Sequence, residues 1–258
     1  MWVKAGGVTV WAEQAGPASG EAAGDVLLLH GWGCQIGTMA ALMKALAQTY
    51  RVTAIDFPGH GKTPEPPVPW SVTEYAKMTE EVIVALNLVP CHVVAHSFGG
   101  RVAILLGAEH AELLGRMLIT GGAGLLPKKT PVRAAYNALL AAFHAAARAL
   151  PFLNGLKERL APRFASSDYN ALGERMKKTF VRVIGQDLRP FLSAVTSPVL
   201  LVWGQNDRET PLWYGQTMER EMPAASLTVY RDAGHYAFLE QPERFTREAL
   251  CFLKGETT

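Results

Sequence analysis

Short apolar runs alternate along this chain with longer stretches whose apolar residues recur at helical spacing. The runs Val26–His30, Val52–Asp56, His92–His96, Arg116–Thr120 and Val199–Trp203 have the texture of strands buried on both faces of a parallel sheet. Val8–Glu13 and Leu227–Arg231 complete the predicted strands. Helices are predicted over Gly37–Gln48, Val72–Leu88, Phe98–Ala108, Pro211–Glu221 and Pro242–Leu253. Strands that alternate with helices in this way imply an α/β fold, a mostly parallel sheet covered on both faces. Ala15–Gly24, rich in glycine and alanine with Pro17, reads as a hairpin-like connection.

The alternation stops between about Leu126 and Gln186, where no strand pattern occurs and helical text is broken by prolines. A loop of that length without structure of its own is uncommon, so an all-helical insertion, or lid, is predicted over 126–186. The core domain then comprises 1–125 and 187–258. The insertion is electrically distinct: eleven basic residues against three acids give it +8, leaving −6 for the rest of a chain whose net charge is +2. Such a lid either attracts an anionic substrate or an acidic carrier protein, or simply presents a solvated outer helix face.

Composition narrows the class. With 49% hydrophobic and 19% charged residues in 258, the chain suits a globular protein with a sizeable core. Three widely spaced cysteines, Cys34, Cys91 and Cys251, argue for reduced thiols in the cytoplasm rather than a disulfide framework. The N-terminal residues lack the layout of a signal peptide, and no apolar run is long enough to span a membrane. Nucleic acid is disfavoured as a partner, since there is no recognition motif and the chain is not basic overall. The partner expected is a small molecule, with the protein a monomer or homodimer.

Candidate chemistry centres on Val93-Val94-Ala95-His96-Ser97-Phe98-Gly99-Gly100. A buried strand runs into Ser97, and small residues follow where a helix must begin. A strand-to-helix elbow of this kind lifts a serine hydroxyl clear of the sheet and leaves backbone N–H groups beside it. The usual first glycine of G-x-S-x-G is here Ala95, one methyl larger. Serine needs a base, and of seven histidines His235 is best placed, just beyond the last strand at the carboxyl edge of the sheet. His96 adjoins Ser97, and neighbouring side chains diverge at a turn. His30 precedes Gly31 and reads as a loop anchor, while His60, His92, His110 and His144 read as loop, strand or helix residues. Asp207, beyond Val199–Trp203, is the orienting acid that would hold the imidazole tautomer. Asp56 leads into Pro58-Gly59-His60-Gly61 and reads as a turn acid; Asp232 lies too near His235 in sequence. Oxyanion donors are expected at the amides of Phe98 and of Trp32, in Leu29-His30-Gly31-Trp32-Gly33-Cys34. Substrate contacts are expected from residues around these positions, His30, Gly31, Trp32, His96 and Tyr236, and from Tyr136, Leu140 and Phe143 in an apolar stretch of the lid.

Taken in order, His30-Gly31-Trp32-Gly33, Asp56-Phe57-Pro58-Gly59-His60-Gly61, His96-Ser97-Phe98-Gly99-Gly100, Trp203-Gly204-Gln205-Asn206-Asp207 and Ala233-Gly234-His235 resemble the α/β-hydrolase family, in its serine-acid-histidine order. The resemblance implies an eight-stranded, mostly parallel sheet, a helical cap after the sixth strand, and no metal or organic cofactor. It implies a triad of Ser97, Asp207 and His235, with oxyanion amides at Trp32 and Phe98. Within the family, Ser97 stands where dehalogenases and epoxide hydrolases carry aspartate, and the cap is poor in the acids of aminopeptidase relatives. Trp32, with no proline after Gly33, departs from the His-Gly-small-Gly-Pro loop of carbon–carbon bond hydrolases. The expectation is therefore a serine hydrolase of carboxylic esters with small to medium, apolar acyl groups. Kept beside it are a methyl-ester esterase acting on carrier-bound or anionic acyl groups, a carbon–carbon bond hydrolase, and a ligand-binding relative without turnover.

Overall fold

The structure is a computed structural model that describes residues 1–126 and 172–256. Eight strands form one sheet: β1 (Trp2–Ala5), β2 (Val8–Ala15), β3 (Asp25–Leu29), β4 (Arg51–Ile55), β5 (Cys91–His96), β6 (Leu114–Thr120), β7 (Val199–Gly204) and β8 (Ala225–Tyr230). Their spatial order is β1-β2-β4-β3-β5-β6-β7-β8. β1–β2 and β2–β4 are antiparallel, and every other pairing is parallel.

The central strands bury both faces, as their continuous apolar text requires. Leu27, Leu29, Val93, Ala95, Ile119 and Leu201 pack on one face, and Val26, Leu28, Val94, Leu118, Leu200 and Val202 on the other. The first face is covered by α2 (Val72–Ala85) and α3 (Phe98–Glu109), through residues such as Tyr75, Val82, Val102 and Leu106. The other face is covered by α1 (Ala40–Leu46), with Leu42 and Leu46, and by a C-terminal helix over Pro242–Lys254, with Phe245, Ala249 and Leu253. A capping box explains the start of α2: the Thr73 amide donates to Ser71, and Glu74 accepts from the Ser71 amide.

Four details of the structure differ from the sequence expectation. Trp2–Ala5 is a strand, too short to stand out by pattern, paired with β2 across a turn in which Gly6 and Gly7 both take positive φ, 59° and 71°. The Ala15–Gly24 connection is no hairpin. β2 neighbours β4, so this segment carries the chain past β4 to β3, and the hairpin lies one connection earlier. The predicted Gly37–Gln48 helix opens as a 3₁₀ turn, Ile36–Met39, because Asp56 accepts from the Ile36 amide (2.8 Å) and holds the entry. A four-residue helix, Ala237–Glu240, follows β8 and was not predicted.

Of the predicted insertion, the described part includes the helix α4 (Glu174–Gly185). Its buried face, Met176, Thr179 and Val183, follows helical spacing. Thr179 Oγ1 accepts from the Trp70 amide at 3.2 Å, and Phe180 packs on Trp32 with ring centroids 5.2 Å apart. Tyr136, Leu140, Phe143 and His144 lie outside the described residues.

Register decides where the chemistry sits. Leu29 pairs with both Ile55 and Ala95, His96 with Thr120, Thr120 with Val202, and Gly204 with Tyr230. The ends of β3, β4, β5, β6, β7 and β8 therefore line up, and the loops that follow them meet along the carboxyl edge of the sheet.

Candidate active site

Ser97 is the residue between β5 and α3, and its backbone takes φ 50°, ψ −107°. A non-glycine residue at positive φ of this kind is strained by about 1–3 kcal/mol and needs the surroundings to hold it. Here the Ser97 amide donates to Thr120 O (3.1 Å), and the Ser97 carbonyl accepts from Gly100 (3.0 Å) and Ala123 (3.1 Å). The next turn is pressed onto β3: the Gly99 amide donates to His30 O at 3.1 Å, and a Cβ on Gly99 would drive into the Leu29 carbonyl oxygen. Gly99→Ala is therefore expected to destabilise the protein by about 2–3 kcal/mol. Urea unfolding reads this directly, and a change below about 0.5 kcal/mol would show that the elbow relaxes freely.

Asp207 and His235 arrive from the loops after β7 and β8. His235 Nδ1 lies 2.8 Å from Asp207 Oδ2, and both residues are buried. Asp207 Oδ1 accepts from the amides of Glu209 and Thr210, each at 2.9 Å. The Thr210 hydroxyl lies 2.9 Å from both Asp207 Oδ2 and Gly121 O. Burial would raise the Asp207 pKa, but the His235 hydrogen bond and charge, with the Thr210 bonds, bring it below the ordinary carboxylate value. Ionised Asp207 accepts the His235 Nδ1–H, so the Nε2 lone pair points elsewhere. That nitrogen lies 3.4 Å from Oε2 of Glu209, an exposed carboxylate.

Ser97, Phe98, Trp32, Gly31, His96 and His235 line one cavity of about 530 Å³. Among the described residues no hydrogen bond joins Ser97 Oγ to His235 Nε2. The amides of Trp32 and Phe98 donate to no described residue. Gly31 matters by its lack of a side chain, since a Cβ there would lie 2.9 Å from His96 Cδ2 and 3.3 Å from Ser97 Cβ. Tyr236 also lines the cavity, and its hydroxyl is 3.7 Å from Cys34 Sγ.

Other sequence candidates have structural partners. His30 is buried outside the cavity lining. Its Nε2 accepts from the Phe57 amide (3.0 Å) and its Nδ1 lies 2.7 Å from Gly31 O, so it ties the loop after β3 to the loop after β4. Asp56 accepts from the amides of Ile36 and Lys62, each at 2.8 Å, as a turn acid does. Asp232 is exposed at φ 60°. His96 is packed among His235, Tyr236 and Phe238, with ring centroids 4.8, 4.9 and 5.0 Å away. Sequence reasoning missed Thr210 and Glu209; the Asp-x-x-Thr spacing at 207–210 is the local signal for the first.

His30, His60 and His96 are buried as neutral rings. Burial, the largest influence on each, takes them from 6.5 to about 3, 4 and 3. Unfolded, they bind protons below 6.5, whereas folded they resist until pH 3–4. Their contribution to stability is thus full above 6.5 and is lost as pH falls toward 4, by about 1.4 kcal/mol per pH unit for each ring. The urea midpoint is expected to drop steeply between about pH 7 and pH 5. A midpoint flat across that window would mean these rings are protonated in the folded protein.

No helix among the described residues is long and apolar enough to cross a membrane, and no cluster of metal-binding side chains occurs among them. A family model described as "Alpha/beta hydrolase family" matches residues 26–248. A 2-hydroxy-6-oxononadienedioate/2-hydroxy-6-oxononatrienedioate hydrolase of Burkholderia vietnamiensis is 28% identical over 227 residues, 80% of this chain and 77% of the relative. A pimeloyl-[acyl-carrier protein] methyl ester esterase of Aeromonas hydrophila is 28% identical over 253 residues, 86% of this chain and 92% of the relative. Among solved structures, an esterase from Exiguobacterium antarcticum superposes with a TM-score of 0.76 at 22% identity, covering 98% of each chain.

Proposed function

Because this chain belongs to the alpha/beta hydrolase family, we propose that it hydrolyses carboxylic esters through an acyl-enzyme on Ser97. One observation carries the reading: His235 holds its Nδ1–H on buried Asp207, 2.8 Å away, and lines the same cavity as the strained Ser97. In the reaction, Ser97 Oγ attacks the ester carbonyl while His235 Nε2 takes its proton. The amides of Trp32 and Phe98 donate to the resulting oxyanion, a contribution of about 10²–10³ per donor in turnover. His235 returns the proton to the departing alcohol, then activates the water that frees Ser97. Binding of substrate closes the Ser97–His235 contact, which is commonly long in a ligand-free site. A panel of p-nitrophenyl esters from acetate to octanoate tests the reading. Multiple turnovers are expected, and binding without product release would indicate a ligand-binding relative instead.

A second reading is a methyl-ester esterase whose acyl group is held by an acidic carrier protein. It is favoured by the name of the Aeromonas relative and by the exposed basic residues Arg175, Lys178 and Arg182 on α4. Reversing these three charges would then raise KM for a carrier-bound methyl ester and spare a small free ester. Equal effects on both would remove this reading.

A further inference from the structure

Arg101 sits one turn into α3, four residues after Ser97, and both residues line the cavity. The residue is only 6% exposed. Its Nη1 donates to Gln186 O at 2.9 Å, and no carboxylate pairs with it among the described residues. A buried arginine ordinarily has an acid partner. If Arg101 only tied α3 to the end of α4, a neutral donor would do so without removing a charge from water. Burial lowers its pKa to about 10 against opposing influences from Tyr214 and Asp187, so the guanidinium is still cationic at neutral pH. Leu125, Phe180, Val183 and Tyr214 supply an apolar wall to the same cavity. Among the described lining residues the acid is Glu209, which stands by His235 and repels an anion from that side.

Resting on the esterase reading, we propose that Arg101 is an anion subsite within the reaction cavity, selecting acyl groups that carry a carboxylate remote from the scissile ester. The chemical class is the half-ester of a short dicarboxylic acid. Its carbonyl lies at Ser97, its methylenes lie along the apolar wall, and its free carboxylate is paired with guanidinium N–H groups that donate to none of the described residues. A charge-assisted pair in so buried a place is strong, and it forms with a cation whose desolvation the fold has already borne.

The experiment compares monomethyl esters of succinic through suberic acid with the matching ω-carboxamide methyl esters, by pH-stat. At the best length the wild type should favour carboxylate over carboxamide in kcat/KM by about tenfold or more, chiefly through KM. Arg101→Met should bring that ratio to about one or below, and Arg101→Lys, which keeps the charge but not the planar fork, should give an intermediate ratio. A merely structural Arg101 would lower both rates together and leave the ratio intact. A wild-type ratio of one or less at every length, or a ratio unmoved in Arg101→Met, overturns the proposal. Should Arg101→Met not fold, the wild-type and Arg101→Lys ratios decide it. Absence of any ester turnover would refute the esterase reading alone. Calorimetric binding of the same pairs to Ser97→Ala protein, with and without Arg101→Lys, would then test the subsite, and equal affinity for carboxylate and carboxamide would end it.

Discussion

Ser97→Ala is expected to lower kcat/KM for p-nitrophenyl butyrate by about 10⁴-fold or more while leaving the urea midpoint nearly unchanged. The loss follows from removing the atom that bonds to the acyl group: no acyl-enzyme forms, and the remaining machinery can only orient water. Residual catalysis by the amides of Trp32 and Phe98 would still exceed the uncatalysed rate, so a small rate is expected rather than none. Stability should hold because the clamps on the elbow are all backbone: Ser97 N to Thr120 O, and Ser97 O from Gly100 and Ala123. Alanine meets the same φ of 50° with one atom fewer, in a residue that is only partly buried. Mass spectrometry after a rapid quench gives an independent readout, an acyl adduct on the wild type and none on the variant. Turnover within tenfold of wild type would remove Ser97 from the reaction.

Asp207→Asn is the second large effect, expected at about 10⁴-fold in kcat. Asp207 Oδ1 accepts from two amides, and Oδ2 faces His235 Nδ1 at 2.8 Å. An asparagine would turn its single oxygen to the two amides, where a misplaced NH₂ would meet two donors. That orientation points the NH₂ at His235 Nδ1, which must become an acceptor, so the ring's proton moves to Nε2. The nitrogen that should receive the serine proton then already carries one. The change is nearly isosteric, and the midpoint should shift far less than with Asp207→Ala, which strands the amides of Glu209 and Thr210. Activity within tenfold of wild type would mean that the ring is oriented by another group. Thr210, whose hydroxyl lies 3.3 Å from His235 Nδ1, is the first to examine in that case.

Much of this was legible in the chain itself because the signals are local. A strand buried on both faces must be apolar throughout, so β3 through β7 could be placed within a residue or two. The elbow at Ser97 needs small residues at fixed offsets, and Gly99 against Leu29 O shows why. Asp56 could be separated from Asp207 because it opens a glycine-rich turn, and its two amide contacts bear that out. His30 was harder. The sequence suggested both a loop anchor and a substrate contact, and the choice depends on the Phe57 amide, 27 residues away.

By itself, then, the order of residues determined the α/β alternation, the strand ends and the three side chains placed beyond them, because backbone periodicity and turn chemistry act over a few neighbours. Only the tertiary structure decided that β2 lies beside β4 and that Thr210 reaches Gly121. It also placed Glu209 at His235 and the buried charge of Arg101 at the cavity, with no carboxylate paired to it among the described residues. Those outcomes depend on strand order and parallel register, which bring residues far apart in sequence to one edge. No local pattern encodes which strand becomes the neighbour of which.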